Sequence, residues 1–205
     1  NRQAIINDDL DAFTRVPNKM GRAAIRTVGN LVYAVLTANA AMADGVALFH
    51  ADHGNLAASG AAISVVSLGL ARAAMRSQKG LDGIGYFDPQ PRFLIVPVNL
   101  ETTAEALLAS LVDPSKNNDA TNPAWVRGLT LVADPRLDAA STTAWYLAAD
   151  PNQVETVIRA YLAGSERPYL EEDDAFVRDV ISHKARLDVG VGVIDSRGLY
   201  KNPGA

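Results

Sequence analysis

The 205-residue sequence predicts an α+β fold built from long elements, and three observations indicate it. Apolar residues recur every three or four positions over residues 18–39, which is the period of an amphipathic helix. Valine alternates with glycine over residues 189–193, which is the period of a strand. With 48% hydrophobic residues, the chain can also bury a core as one large domain or two small ones.

Helical signals open the chain. Residues 7–16 predict a short helix with Asp8 and Asp9 as candidate caps, and Pro17 is expected to end or kink it. The long helix of residues 18–39 follows. One face of this region carries basic residues at three- and four-residue steps, namely Arg15, Lys19, Arg22 and Arg26. Such a face can contact nucleic acid phosphates, pair with an acidic neighbouring subunit or remain solvated, and we prefer the last two interpretations.

The next part of the chain predicts strands and helices in alternation. Residues 46–49 predict a short strand, which a loop follows. Ser64 is the predicted cap of a helix that Gly80 ends. Residues 93–98 predict a buried strand, and Pro97 indicates that this strand ends there or lies at an edge.

A capping box and a polar loop mark the centre of the sequence. Thr102 and Glu105 predict the capping box of a helix that reaches about residue 111. The asparagine-rich segment 113–123 predicts a surface loop. Strands are then predicted for residues 129–132 and 143–148.

The last third of the chain contains one ambiguous segment and one clear strand. Residues 153–163 fit a helix by their apolar spacing and a strand by their β-branched content. The acidic residues 171–174 predict a solvated turn. In the strand of residues 189–193, Gly190 and Gly192 indicate that something packs tightly against one face.

Two of the three histidines lie within residues 47–57, which makes this segment the candidate site. His50, Asp52, His53 and Asn55 fit a metal site of a metal-dependent hydrolase, because imidazole and carboxylate groups bind zinc or iron. The strong zinc signature, however, places two histidines four apart on a helix, whereas the spacing here is three. We therefore prefer a structural interpretation, in which His53 and Asn55 hydrogen-bond backbone groups at a tight turn at Gly54. On this interpretation the chain has no catalytic, cofactor-binding or metal-binding residue.

Other kinds of chemistry find no support in the sequence. The chain has no cysteine, which excludes disulfides, thiolate catalysis and zinc–thiolate sites. Neither a Gly-x-Ser-x-Gly nucleophile turn nor a Gly-x-x-x-x-Gly-Lys phosphate loop is present. The net charge of -4 provides no overall basic field for nucleic acid or an anionic membrane. No run of about 18 apolar residues could span a bilayer.

Three stretches carry a resemblance to a known family. They are Arg2-Gln3-Ala4-Ile5-Ile6-Asn7-Asp8-Asp9-Leu10 with the following Phe13-Thr14-Arg15 and Met20-Gly21-Arg22-Ala23-Ala24, then Leu48-Phe49-His50-Ala51-Asp52-His53-Gly54-Asn55-Leu56, and Asp195-Ser196-Arg197-Gly198-Leu199-Tyr200-Lys201-Asn202. In this order they bracket nearly the whole chain, and together they resemble the major head (capsid) protein of Mu-like phages and prophages. The resemblance implies the Hong Kong 97-type capsid fold, with a spine helix at about residues 18–39 and a long strand at about 177–194 that returns along it.

The resemblance also implies a domain organisation. Residues 1–59 and 151–205 would form a peripheral domain, and residues 60–150 would form an axial domain whose loop at 113–123 lies at the capsomer centre. A strand is favoured for residues 153–163. The amino-terminal arm and the extended loop of this fold find no counterpart in the sequence, so we expect the 205 residues to be monomeric or weakly associated at micromolar concentration.

The function implied by the resemblance is structural and not enzymatic. The chain would self-associate into pentamers and hexamers of an icosahedral shell that contains DNA. Its expected partners are a scaffold protein or prohead protease, the portal and the packaged double-stranded DNA, with no cofactor, small-molecule substrate or membrane. It would reside in the virion capsid, and in the host bacterial cytoplasm during assembly. The shell of a cellular encapsulating compartment with the same fold is an alternative, beside the metal-dependent hydrolase.

Overall fold

The computed structural model describes residues 12–80, 82–110, 122–175 and 180–205, and it has a mixed α+β architecture. The chain divides into two compact units, of which the first comprises Asn1–Ala34 and Arg159–Gly192 and the second Val35–Ile158 and Val193–Ala205. The peripheral and axial domains remain a prediction. No described helix is long and apolar enough to cross a membrane.

The described helices and strands follow one another in an irregular order. The helices are α1 (Ala12–Ala38), α2 (Val65–Arg76), α3 (Glu101–Ala109), α4 (Ala124–Arg127) and α5 (Pro135–Asp138). The strands are β1 (Pro91–Val96), β2 (Thr130–Ala133), β3 (Trp145–Ala149), β4 (Val157–Tyr161), β5 (Tyr169–Ala175), β6 (Val180–Arg186), β7 (Val189–Val193) and β8 (Leu199–Asn202). Short 3₁₀ turns lie at Ala51–His53 and Val98–Leu100.

Helix α1 confirms the predicted long helix and includes Pro17, so the expected end of a separate first helix at this proline is wrong. The helix continues through Pro17, which was expected to end or kink a separate first helix. Pro17 cannot donate a backbone hydrogen bond, but each residue of the long helical segment after it adds one. The helix can therefore include this proline. Asp8 and Asp9, the candidate caps, lie outside the described residues.

A four-stranded sheet forms the centre of the second unit. Its order is β2-β1-β3-β8, with β1 parallel to β2 and antiparallel to β3, and β8 antiparallel to β3. Helix α2 buries Leu68, Ala71 and Met75 in the same cluster as Leu94 and Leu147 of the sheet. The strands predicted at 93–98, 129–132 and 143–148 are therefore confirmed, each shifted by one or two residues.

Two smaller sheets pair β4 with β7 and β5 with β6. Strand β4 resolves the ambiguity of residues 153–163 in favour of the strand. The predicted turn at residues 171–174 is wrong, because these acidic residues lie within β5, where Glu171 is opposite Lys184 and Glu172 is opposite His183 of β6. The predicted long strand at 177–194 is divided, since β6 and β7 are separate strands with different partners.

The glycines of β7 do not mark the tight packing expected of them. A Cβ atom built on Gly190 or on Gly192 would meet no atom within 4 Å. The close approach lies elsewhere, at Gly60 and Gly204. A Cβ on Gly60 would come within 1.8 Å of the Gly204 carbonyl oxygen, so backbone meets backbone at this point.

Two local predictions are wrong because a distant side chain takes the backbone groups. Residues 46–49 form no strand: the Asn39 side chain accepts from the Phe49 N–H at 2.7 Å and donates to its carbonyl oxygen at 3.2 Å. Thr102 and Glu105 form no capping box, since Leu100 is the cap residue of α3 and makes no side-chain bond. The Asp138 carboxylate instead accepts the N–H groups of the turn before α3.

The prediction for α2 is confirmed at its amino end and wrong at its carboxyl end. Ser64 caps the helix as predicted, in a reciprocal capping box with Ser67. The carboxyl end is earlier than predicted: α2 ends at Arg76 with Ser77 as its cap, and Gly80 lies beyond it. The Ser77 N–H is already bonded to carbonyl oxygens of the last turn, so no glycine is needed to end the helix.

Candidate functional site

The segment of residues 44–55, which we call the elbow, contains the histidines that the sequence singles out. It follows a turn after α1 and includes the short 3₁₀ turn Ala51–His53. That turn ends at Gly54, whose φ of 63° is the left-handed conformation that glycine adopts most easily. Leu48 and Phe49 are buried beneath it, each with 1% of its surface exposed. The elbow is thus anchored by apolar side chains and turned by a glycine.

His53 uses both ring nitrogens within the elbow. Its Nδ1 lies 3.0 Å from the Leu48 carbonyl oxygen and its Nε2 lies 2.8 Å from Oδ2 of Asp44. Both partners are acceptors, so only the doubly protonated ring can donate to both at once. Burial by itself lowers the pKa of His53, but the hydrogen bonds to Asp44 and Leu48 outweigh it and raise that pKa. The bond from His53 also lowers the pKa of Asp44.

Asn55 holds the elbow together from inside the protein. It is fully buried, and its Nδ2 donates to the carbonyl oxygens of Leu48 at 2.7 Å and Ser196 at 3.3 Å. Its Oδ1 accepts the N–H of His50 at 3.0 Å. The backbone of Asn55 bonds to Lys201, where its carbonyl oxygen accepts the Lys201 N–H at 2.8 Å. The elbow is therefore tied to the segment before and within β8.

The four residues of the metal interpretation, which are His50, Asp52, His53 and Asn55, do not converge on one point as metal ligands would. His50 is exposed and its Nδ1 accepts the N–H of Asp52, whereas the ring of His53 is fully engaged by acceptors. Among the described residues, no three histidine, aspartate or glutamate side chains converge to hold a metal ion. The interpretation of His53 and Asn55 as residues that hydrogen-bond the backbone at this turn is confirmed.

Four polar side chains that bind backbone groups of other segments were missed by the sequence analysis. The Gln78 side chain accepts the N–H of Gly198 at 3.0 Å, and Asn202 accepts the N–H of Ala61 at 2.9 Å. Asn39 and Asp138 bind backbone groups of other segments in the same way. Asn39 lies just after α1 and has a positive φ of 48°. Asparagine is a common residue at this position, so its place at the helix end is a signal that the sequence carries. The others carry no local signal, because their partners lie far along the chain.

The surface of the first unit carries the clearest charge pattern. The basic residues on α1 are exposed, and no ion pair joins them to other described residues. They are Arg15, Lys19, Arg22 and Arg26, and α1 contains no acidic residue that could neutralise them. In the same unit, Glu171, Glu172 and Asp173 of β5 are exposed. Charged surfaces of this kind can orient a macromolecular partner.

Comparison with known proteins identifies one family. A family model described as "Phage capsid protein" matches residues 1–202, which is nearly the whole chain. No curated protein matches the sequence.

Proposed function

The chain belongs to the phage capsid protein family, and from this premise we propose that it is the major head subunit of a Mu-like tailed phage or prophage. The family is structural and not enzymatic, and its members are located in the virion capsid. Capsid subunits assemble with copies of themselves. The proposal adds the type of phage, the Hong Kong 97-type fold, and assembly through pentamers and hexamers into a shell that packages double-stranded DNA.

The observation that carries the proposal is the number of large apolar side chains exposed on separate elements. Ile25 of α1 is 65% exposed and Leu70 of α2 is 68% exposed. Ile84 and Tyr86, in the turn after α2, are exposed by 82% and 73%. Leu70 also has Val66 exposed one helical turn away. Apolar side chains grouped on a surface mark contacts with other proteins, and a shell subunit contacts several neighbours at once.

The architecture supports the finer assignment. In the Hong Kong 97-type fold, α1 would be the spine helix, and strands β1, β2 and β3 with α2 and α3 would form most of the axial domain, while β8 would belong to the peripheral domain. Strands β4 to β7 would belong to the peripheral domain. A scaffold protein or prohead protease, the portal and the packaged DNA would be the other partners. Each of these assignments is part of the proposal.

Electron microscopy of the complete gene product tests the proposed function. We expect closed shells of uniform diameter when the protein is produced in a bacterial host together with its neighbouring head genes. Persistent monomers under these conditions would refute the proposal. Metal analysis of the pure protein tests the alternative enzyme: stoichiometric zinc or iron would favour a hydrolase that uses His50, Asp52 and His53.

A further inference from the structure

The exposed cations of α1 form a continuous stripe, which we call the basic face. Its members are Arg15, Lys19, Arg22 and Arg26, and their spacing places them on one side of the helix. The stripe is about 16 Å long at a rise of 1.5 Å per residue. Like charges at these spacings repel one another, so the face is suited to a partner that brings negative charge.

Apolar side chains flank the basic face. Ile25, three residues after Arg22, is 65% exposed, and Val16, next to Arg15, is 39% exposed. A DNA backbone offers phosphates to cations but leaves such side chains in water. A protein surface that is acidic and partly apolar would cover both features.

Strand β5 has the complementary composition, and we call its exposed residues the acidic strand. Glu171 and Asp173 are exposed on one face of it beside Tyr169, which is 58% exposed, and Glu172 is exposed on the other face beside Leu170, which is 41% exposed. A partner that contacts all three acidic residues must therefore lie along the edge of the strand. The seven-residue strand extends about 20 Å at 3.4 Å per residue, which is close to the length of the basic face.

The acidic charge of β5 is only partly neutralised within the chain. Lys184 of β6 lies 3.0 Å from Glu171, and His183 lies 4.0 Å from Glu172. Asp173 stands opposite Ser182, which carries no charge. Strands β5 and β6 form a two-stranded sheet, a structure that is marginally stable in water unless another surface packs on it.

We propose that the basic face of α1 docks on the acidic strand β5 of a neighbouring copy of this chain. The inference rests on the proposed function, because self-assembly supplies the second copy. Two different patches of one chain that fit each other make a head-to-tail contact, and such a contact repeats from subunit to subunit until a ring closes. A closed ring of this kind is what a capsomer requires.

Charge reversal in the complete gene product tests the contact. The variant Arg22→Glu with Arg26→Glu reverses the basic face, and Glu172→Lys with Asp173→Lys reverses the acidic strand while it keeps the Glu171–Lys184 ion pair. We expect each variant alone to reduce the yield of shells at least tenfold. A variant that combines all four changes in one chain should restore the yield, because a reversed helix then meets a reversed strand at every contact of a ring of five or six.

The control variant changes the same net charge at other positions. Arg127→Glu with Lys79→Glu reverses two exposed cations of the second unit, and it should leave the yield of shells unchanged. Circular dichroism and thermal melting of every variant establish that the subunit still folds. A loss of yield in the control equal to that of the basic-face variant would overturn the inference, since net charge alone would explain it.

The remaining outcomes separate the inference from the proposed function. Shells that form normally from the basic-face variant but contain little DNA would overturn the contact and assign the basic face to DNA. A combined four-residue variant that folds but fails to restore shells would also overturn it. If the wild type forms no shells, the proposed function fails, and sedimentation of the two mixed variants still decides: a mixed complex supports the contact and its absence overturns it.

Discussion

Replacement of Asn55 tests whether buried hydrogen bonds, and not local turn propensity, hold the elbow to the end of the chain. The side chain is fully buried and bonds to three backbone groups: the N–H of His50 and the carbonyl oxygens of Leu48 and Ser196. Asn55→Ala removes all of these bonds. The Leu48 carbonyl oxygen keeps the His53 ring as a hydrogen-bond partner. The His50 N–H and the Ser196 carbonyl oxygen each lose their hydrogen bond to the Asn55 side chain.

The expected loss follows from these two orphaned groups. A buried polar group without a partner costs about 1–3 kcal/mol, and the lower half of this range applies to each of these two bonds, because both are only partly buried. The free energy of unfolding should therefore fall by about 2–4 kcal/mol in Asn55→Ala. Asn55→Asp should lose at least as much, because its carboxylate would face the carbonyl oxygens of Leu48 and Ser196.

Urea unfolding followed by tryptophan fluorescence measures this loss. Trp145 is fully buried in the same unit as Asn55 and reports on it. With a slope of about 2 kcal/mol per molar urea, which is the middle of the usual range, the midpoint should fall by roughly 1–2 M. Asn152→Ala is the matched control, since Asn152 is exposed and should change stability by less than about 0.5 kcal/mol. A loss below about 1 kcal/mol in Asn55→Ala would refute the reasoning.

The other predictions concern pH and close packing. The raised pKa of His53 means that its stabilisation is complete below about pH 6.5 and disappears as the pH rises through its folded-state pKa. The lowered pKa of Asp44 means that its contribution is present above about pH 4 and is lost in more acidic solution. His53→Gln should therefore destabilise the protein most near pH 5–6 and much less at pH 9, and a pH-independent difference in melting temperature would contradict this. Gly60→Ala should lower the melting temperature by several degrees, because its Cβ would collide with the Gly204 carbonyl oxygen. The control Gly69→Ala lies inside α2 with open space around it, and it should be neutral or should stabilise the protein by about 0.5–1 kcal/mol.

The elements that the sequence predicts well are those whose pattern is repeated over many residues. Helix α1 and strand β7 carry a helical or alternating period over their full length, and both exist. Ser64 was also predictable, because a cap and its helix are neighbours in sequence. The predicted boundaries of short strands such as β3 were shifted by one or two residues.

Two of the wrong predictions share a physical cause, which is a partner that is not adjacent in sequence. Residues 46–49 have the composition of a strand, yet Asn39 takes the backbone groups of Phe49 that a neighbouring strand would need. Acidic residues 171–174 suggested a turn, but they form strand β5. Strand β6 pairs with them, and its Lys184 forms an ion pair with Glu171. In the candidate site, the hydrogen-bonding function of His53 and Asn55 was predictable because most of their partners are local. The bond from Asn55 to Ser196 was not.

That bond between Asn55 and Ser196 joins residues 141 positions apart, and this separation has a consequence for synthesis. A bacterial ribosome adds about 5–20 residues per second, so the elbow is made roughly 7–28 s before the segment that completes it exists. During this interval Leu48 and Phe49 cannot be enclosed in their final surroundings. Nascent subunits are then open to chaperones and proteases, and only finished chains can join a growing lattice.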